Sequence, residues 1–107
     1  MLYFYDKDRH LICYPYSIEG LHEMAGKLGI NKCWFHKKKK LSHYDIPLFM
    51  MEDIDFNAIL VSKFTVARII LGLISTQEIR EIILKHIREK YHRDRKRDIK
   101  KEPRITK

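Results

Sequence analysis

Nothing in this sequence approaches the roughly 20 consecutive apolar residues that a membrane-spanning helix requires. The most apolar stretch, residues 64–74, is interrupted by Arg68 and Gly72. The opening MLYFYDKDRH lacks the basic-then-apolar order of a secretory signal. Cysteine is scarce. Cys13 and Cys33 stand far apart, and no C-x-x-C occurs. That excludes a disulfide framework and gives a cytosolic pattern with two free, buried thiols. Internal repeats are lacking as well. A chain of 107 residues with 45% hydrophobic content fits one domain. A chain of this size buries somewhat under ~70% of its unfolded surface.

The net charge of +8 is unevenly spread. Residues 85–107 carry eleven positive and four negative side chains, or +7, which leaves +1 for residues 1–84. Four of the cations in the first part are Lys37, Lys38, Lys39 and Lys40. The high pI therefore describes two basic appendages on a nearly neutral domain.

Local patterns predict an α/β order. Residues 2–5 and 9–14 read as strands, with the D-K-D at 6–8 as a tight turn between them. In the second strand, period two sets His10, Ile12 and Tyr14 against Leu11 and Cys13. Ser17 is placed to cap a helix that carries Ile18, Leu21, Ala25 and Leu28 on one stripe and stops at Gly29. Gly20 inside it costs about 1 kcal/mol relative to alanine and permits close packing on a sheet. Residues 31–36 read as a third strand, so strand, helix and strand predict a right-handed crossover with a parallel pair. The lysine run forms a loop, residues 43–46 are extended before Pro47, and a short helix covers 48–54. A fourth strand is expected over 58–61, and a helix buried on all sides over 64–73. Ser75-Thr76-Gln77-Glu78 is a capping box for a last helix. Its stripe is Ile79, Ile82, Ile83, His86 and Ile87, and it should end near His92. The expected architecture is a small mixed sheet of about four strands with a βαβ crossover and packed helices over residues 1–74. A C-terminal helix follows over 75–93, packed on the core or on a partner. Residues 94–107 are a basic tail, unstructured by composition.

The residues with most chemistry to offer are His10, His22, His36, His43, Tyr44 and Asp45, with Trp34 and Lys40 nearby. In parallel arrangements ligands gather beyond the carboxyl ends of strands, and the free N–H groups of a helix start, here near Ser17, attract anions. Imidazole, phenol and ammonium groups suit phosphate oxygens, and Tyr16, Trp34 and Tyr44 suit a stacked base. One reading is therefore a pocket for a small anionic, nucleotide-like or phosphorylated ligand with no cofactor. Lys37, Lys38, Lys39 and Lys40 would then form its entry patch. A second reading makes His10, His22, His43 and Asp45 ligands of a divalent metal in a phosphodiesterase or nuclease. Their spacing matches no standard short motif such as H-E-x-x-H. A third gives the basic segment 85–107 to non-specific nucleic acid. The apolar stripe of the last helix also suits a homo-oligomer. For each residue alone, a packing or hydrogen-bonding role competes with all three.

Several elements recur in a recognisable order: His10, then Leu21-His22-Glu23-Met24-Ala25, Gly29, Trp34-Phe35 and His43-Tyr44-Asp45. In these the chain resembles a small family of uncharacterised domains from bacteria and bacteriophages, over about residues 1–70. The resemblance implies a shared fold and pocket and no known activity. Family members commonly have a longer loop where this chain has D-K-D, and they often stop near residue 70. Their phage occurrence implies, as an expectation from context, sequestration of a host signalling nucleotide.

Overall fold

In the computed structural model the backbone is described over residues 1–105 and the side chains over residues 1–90. Two compact units emerge, Met1–Ile74 and Ser75–Lys107. The first contains β1 (Leu2–Tyr5), β2 (His10–Tyr14), α1 (Ile18–Leu28), β3 (Phe35–His36), β4 (His43–Asp45), α2 (Met51–Asn57), β5 (Ile59–Leu60) and α3 (Lys63–Ile70). The second is built on α4 (Thr76–Ile105). The sheet is mixed and five-stranded, in the order β3-β4-β2-β1-β5. This is the small α/β fold that the sequence predicts.

Topology departs from expectation at β3. It does not pair with β2. Instead β4 lies between them, antiparallel to both, with His10 opposite Asp45 and His36 opposite His43. The parallel pair of the sheet is β1 with β5. β3 is also shorter than the expected 31–36. The Asn31 side chain accepts a hydrogen bond from the Cys33 N–H and winds Lys32–Trp34 into a 3-10 turn. Short amides compete with strand pairing in this way. Cys33 is consequently exposed, whereas Cys13 is buried as expected and its thiol pKa is pushed up by that burial.

Helices cover both faces of the sheet. α1 begins at Ser17, whose side chain accepts from the Gly20 N–H, and ends at Gly29 in the left-handed region at φ 68°. Its buried Leu21, Met24 and Ala25 lie on the face of Leu11, Cys13 and Tyr44. α3 packs on the face of His10 and Ile12. It is not buried all round: Val66 and Ile69 are buried, while Phe64 is 76% exposed. A helix laid on one side of a sheet needs only one apolar stripe. In α4, Ser75 Oγ accepts from the Glu78 N–H and Glu78 accepts from the Ser75 N–H, the expected capping box. That helix extends through Ile105, past the end near His92 that the loss of its apolar stripe predicts. Lys, Arg and Glu are good helix formers without any apolar partner. The side chains of the basic tail lie outside the described residues.

Gly20 marks the closest approach of α1 to the sheet. A Cβ there would lie 2.9 Å from Cys13 Sγ and 2.9 Å from Ser17 Oγ, the capping atom. Gly20→Ala is therefore expected to destabilise by about 1–3 kcal/mol, as overpacking does, against its gain in helix propensity. Gly26→Ala meets nothing within 4 Å and is expected to stabilise by up to about 1 kcal/mol. Urea unfolding of the two variants checks the opposite signs.

Candidate functional site

Alternation along β4 decides which groups meet. His43 and Asp45 are two apart and share a face, and Tyr44 points to the other. Cross-strand pairing then adds His36 beside His43 and His10 beside Asp45. The result is a four-residue patch on one sheet face. Asp45 is its hub. Its Oδ1 lies 3.0 Å from His43 Nε2 and 3.7 Å from His10 Nε2, and its Oδ2 lies 3.3 Å from His36 Nδ1. His36 stacks on His43 with ring centroids 5.2 Å apart, and His10 meets His43 edge-on at 4.6 Å. Asp45 is half exposed and His43 nearly buried, so the patch is open to water from one side.

The rear of the patch is held by groups that sequence patterning read only as turn and loop. Asp6 is buried. Its Oδ1 accepts from the backbone N–H groups of Asp8 and His10, and its Oδ2 lies 2.9 Å from His10 Nδ1. The turn passes through Arg9 at φ 66°, an uncommon conformation for a residue with a Cβ. Arg9 is fixed there by Ile46, whose N–H donates to the Arg9 carbonyl and whose carbonyl accepts from Arg9 Nε. The D-x-x-x-H spacing of Asp6 and His10 was the available signal for this contact. In the lysine loop, the Lys38 N–H donates to Ser42 Oγ and the Leu41 N–H to the Lys38 carbonyl. That closed turn presents the Leu41 carbonyl to His43 Nδ1 at 2.7 Å.

Beside His10 and His43 a cleft of about 140 Å³ opens between the sheet and α3. Asp6, Lys38, Leu41 and Lys63 line it together with Val66, Ala67 and Ile70 of α3. Lys63 Nζ lies 2.8 Å from Asp8 Oδ2. This pairing raises the lysine pKa and lowers that of the carboxyl. Among the described residues, His10, His43 and Asp45 form a group that could ligate a metal, with ligand atoms all within 4.8 Å of one another.

Other expected site residues lie elsewhere. Tyr44 is fully buried on the opposite face, where its hydroxyl meets His22 Nδ1 at 2.8 Å and its ring packs on Phe35. His22 is thus part of a core contact and does not join His10 and His43. Trp34 sits edge-on to Phe49, and Lys40 is exposed, its neighbour Lys38 reaching the cleft instead. The start of α1 lies beyond the far end of β2 from His10, about 13 Å of strand away, so it offers nothing to this patch. The nucleic-acid reading rests on a basic segment most of whose side chains fall outside the described residues.

Fold and patch together define a small α/β domain with an imidazole–carboxylate cluster at the mouth of a cleft. The chain belongs to the family described as "Protein of unknown function (DUF4031)", which it matches over residues 9–71. No curated protein and no solved structure matches it. Among the described residues, no helix is long and apolar enough to cross a membrane.

Proposed function

We infer that this domain binds a small phosphorylated ligand, nucleotides included, by its phosphate end in the cleft between α3 and the histidine face. The observation that carries this reading is the lining. Lys38 and Lys63 stand at a concave site that His10 and His43 also enter, and Val66, Ala67 and Ile70 form an apolar wall. Concave sites with a few convergent polar groups on an apolar wall are where small ligands bind. A cleft of about 140 Å³ is of roughly benzene size. It takes a phosphate or one ring, and the remainder of a nucleotide would lie along the open side near Asp45 and His36. A role in sequestering a signalling nucleotide fits such a site.

A thermal-shift panel of inorganic phosphate, nucleoside mono- and diphosphates and cyclic nucleotides tests the reading. At a concentration about tenfold above Kd, a bound ligand should raise Tm by roughly 5–10 °C. His43→Ala should lose most of that shift. Equal shifts for wild type and variant, or none for wild type, would remove the cleft from consideration.

A further inference from the structure

Both imidazoles at the cleft have one nitrogen already committed. His43 Nδ1 lies 2.7 Å from the Leu41 carbonyl oxygen, which can only accept. His10 Nδ1 lies 2.9 Å from Asp6 Oδ2, and Asp6 is a carboxylate whose other oxygen already takes two backbone N–H groups. Each Nδ1 therefore carries the hydrogen, and in the neutral ring each Nε2 is a bare lone pair. Both lone pairs face the same carboxylate oxygen, Asp45 Oδ1, at 3.0 and 3.7 Å. A cation placed among these three acceptors would satisfy all of them at once.

We propose that a divalent metal ion sits between His10 Nε2, His43 Nε2 and the Asp45 carboxylate, and that it bridges the domain to the phosphate of its ligand. The bridging role rests on the phosphate-binding reading above. The metal site does not. Histidines that ligate metals characteristically donate the other ring N–H to a carboxylate or a backbone carbonyl, and here Asp6 and Leu41 fill those two roles. Ligand atoms on a common ion lie roughly 3–4 Å apart. Asp45 Oδ1 is already at that spacing from both rings, at 3.0 and 3.7 Å, and all three ligand atoms lie within 4.8 Å of one another, so an ion would have to draw only the two imidazoles slightly together. Two imidazoles and one carboxylate on one side leave further positions open, a donor set that suits zinc, manganese or ferrous iron. Such an ion also resolves the sign of the site. Asp45 alone repels phosphate, whereas Asp45 holding a divalent cation recruits it alongside Lys38 and Lys63.

Calorimetric titration of the full chain, purified without a polyhistidine tag, tests this with Mn(II) and Zn(II) alone. One ion per chain is expected, with affinity reduced at least tenfold in Asp45→Asn and in His43→Ala. His22→Gln, on the opposite face, should bind as wild type does. Absence of one-to-one binding by wild type, or an undiminished Asp45→Asn, overturns the metal site. Inorganic phosphate is then titrated with and without the ion. Phosphate that binds only with metal, and less well to Asp45→Asn, supports the bridge. Phosphate that binds equally in chelator, and better to Asp45→Asn, overturns the bridge and leaves the phosphate reading standing. Metal binding with no phosphate binding supports the metal site and overturns that reading.

Discussion

Replacing Tyr44 with alanine is expected to cost about 3–5 kcal/mol of folding free energy, as loss of a large buried aromatic does. Urea unfolding of the variant would show it as a lowered midpoint. The side chain is wholly buried, packs against Phe35 and is hydrogen-bonded through its hydroxyl to His22. Tyr44→Phe keeps the packing and removes one hydrogen bond, so a loss of about 1–2 kcal/mol is expected. A double-mutant cycle with His22 should place most of that smaller loss in the pair. A ratio near one between the two Tyr44 variants would mean that the ring itself is not a core element. Burial raises the phenol pKa, and the sign of the pH effect follows. The folded state favours the neutral phenol, so this contribution is complete below the ordinary tyrosine value of about 10. It is lost as the pH rises from there through the folded value. Because Tyr44 stands between His43 and Asp45, its anchorage also sets the register of β4 and hence the position of both neighbours on the other face.

What the sequence made legible follows the range of the interactions involved. β1, β2, α1 with its Ser17 and Gly29 ends, and the capping box at Ser75 all rest on contacts within a few residues, and the structure has them where the patterns place them. Insertion of β4 between β2 and β3 is a pairing across more than thirty residues, and no local signal carries it. The same distinction runs through the site. His10, His43 and Asp45 were recognisable by residue type, and strand pairing brings them together. By sequence the H-Y-D triplet forms one group, although strand alternation sends its middle member to the opposite face. His22 meets Tyr44 there because α1 covers that face. Lys38 rather than Lys40 reaches the cleft because Ser42 closes a particular turn, a choice invisible within four identical residues. Local pattern gives Asp6 turn chemistry alone. Its second oxygen, the one that meets His10, is where fold and site become one question.

Asp6→Ala and Asp6→Asn should therefore behave differently. Alanine removes the acceptor of two backbone N–H groups and of His10 Nδ1 at a buried position. Each orphaned donor costs about 1–3 kcal/mol; water reaching the opened turn offsets part of this, so a loss of about 2–4 kcal/mol is expected. Asparagine keeps a carbonyl oxygen for the two backbone donors, and most of the stability should survive, within about 1.5 kcal/mol of wild type by the worth of one hydrogen bond. Its amide nitrogen then takes the place of Oδ2 and offers a hydrogen to His10 Nδ1. The imidazole must answer as an acceptor there, which moves its own hydrogen to Nε2. A protonated Nε2 has no lone pair for a cation. Asp6→Asn should accordingly bind Mn(II) or Zn(II) about 10–100-fold more weakly than wild type, the range seen when outer partners of metal ligands are changed, while unfolding at nearly the same urea concentration. If affinity and stability fall together in both variants, Asp6 is only a turn residue. A split between them, with the asparagine variant folded and unable to hold the ion, ties the buried carboxylate to the state of the His10 ring.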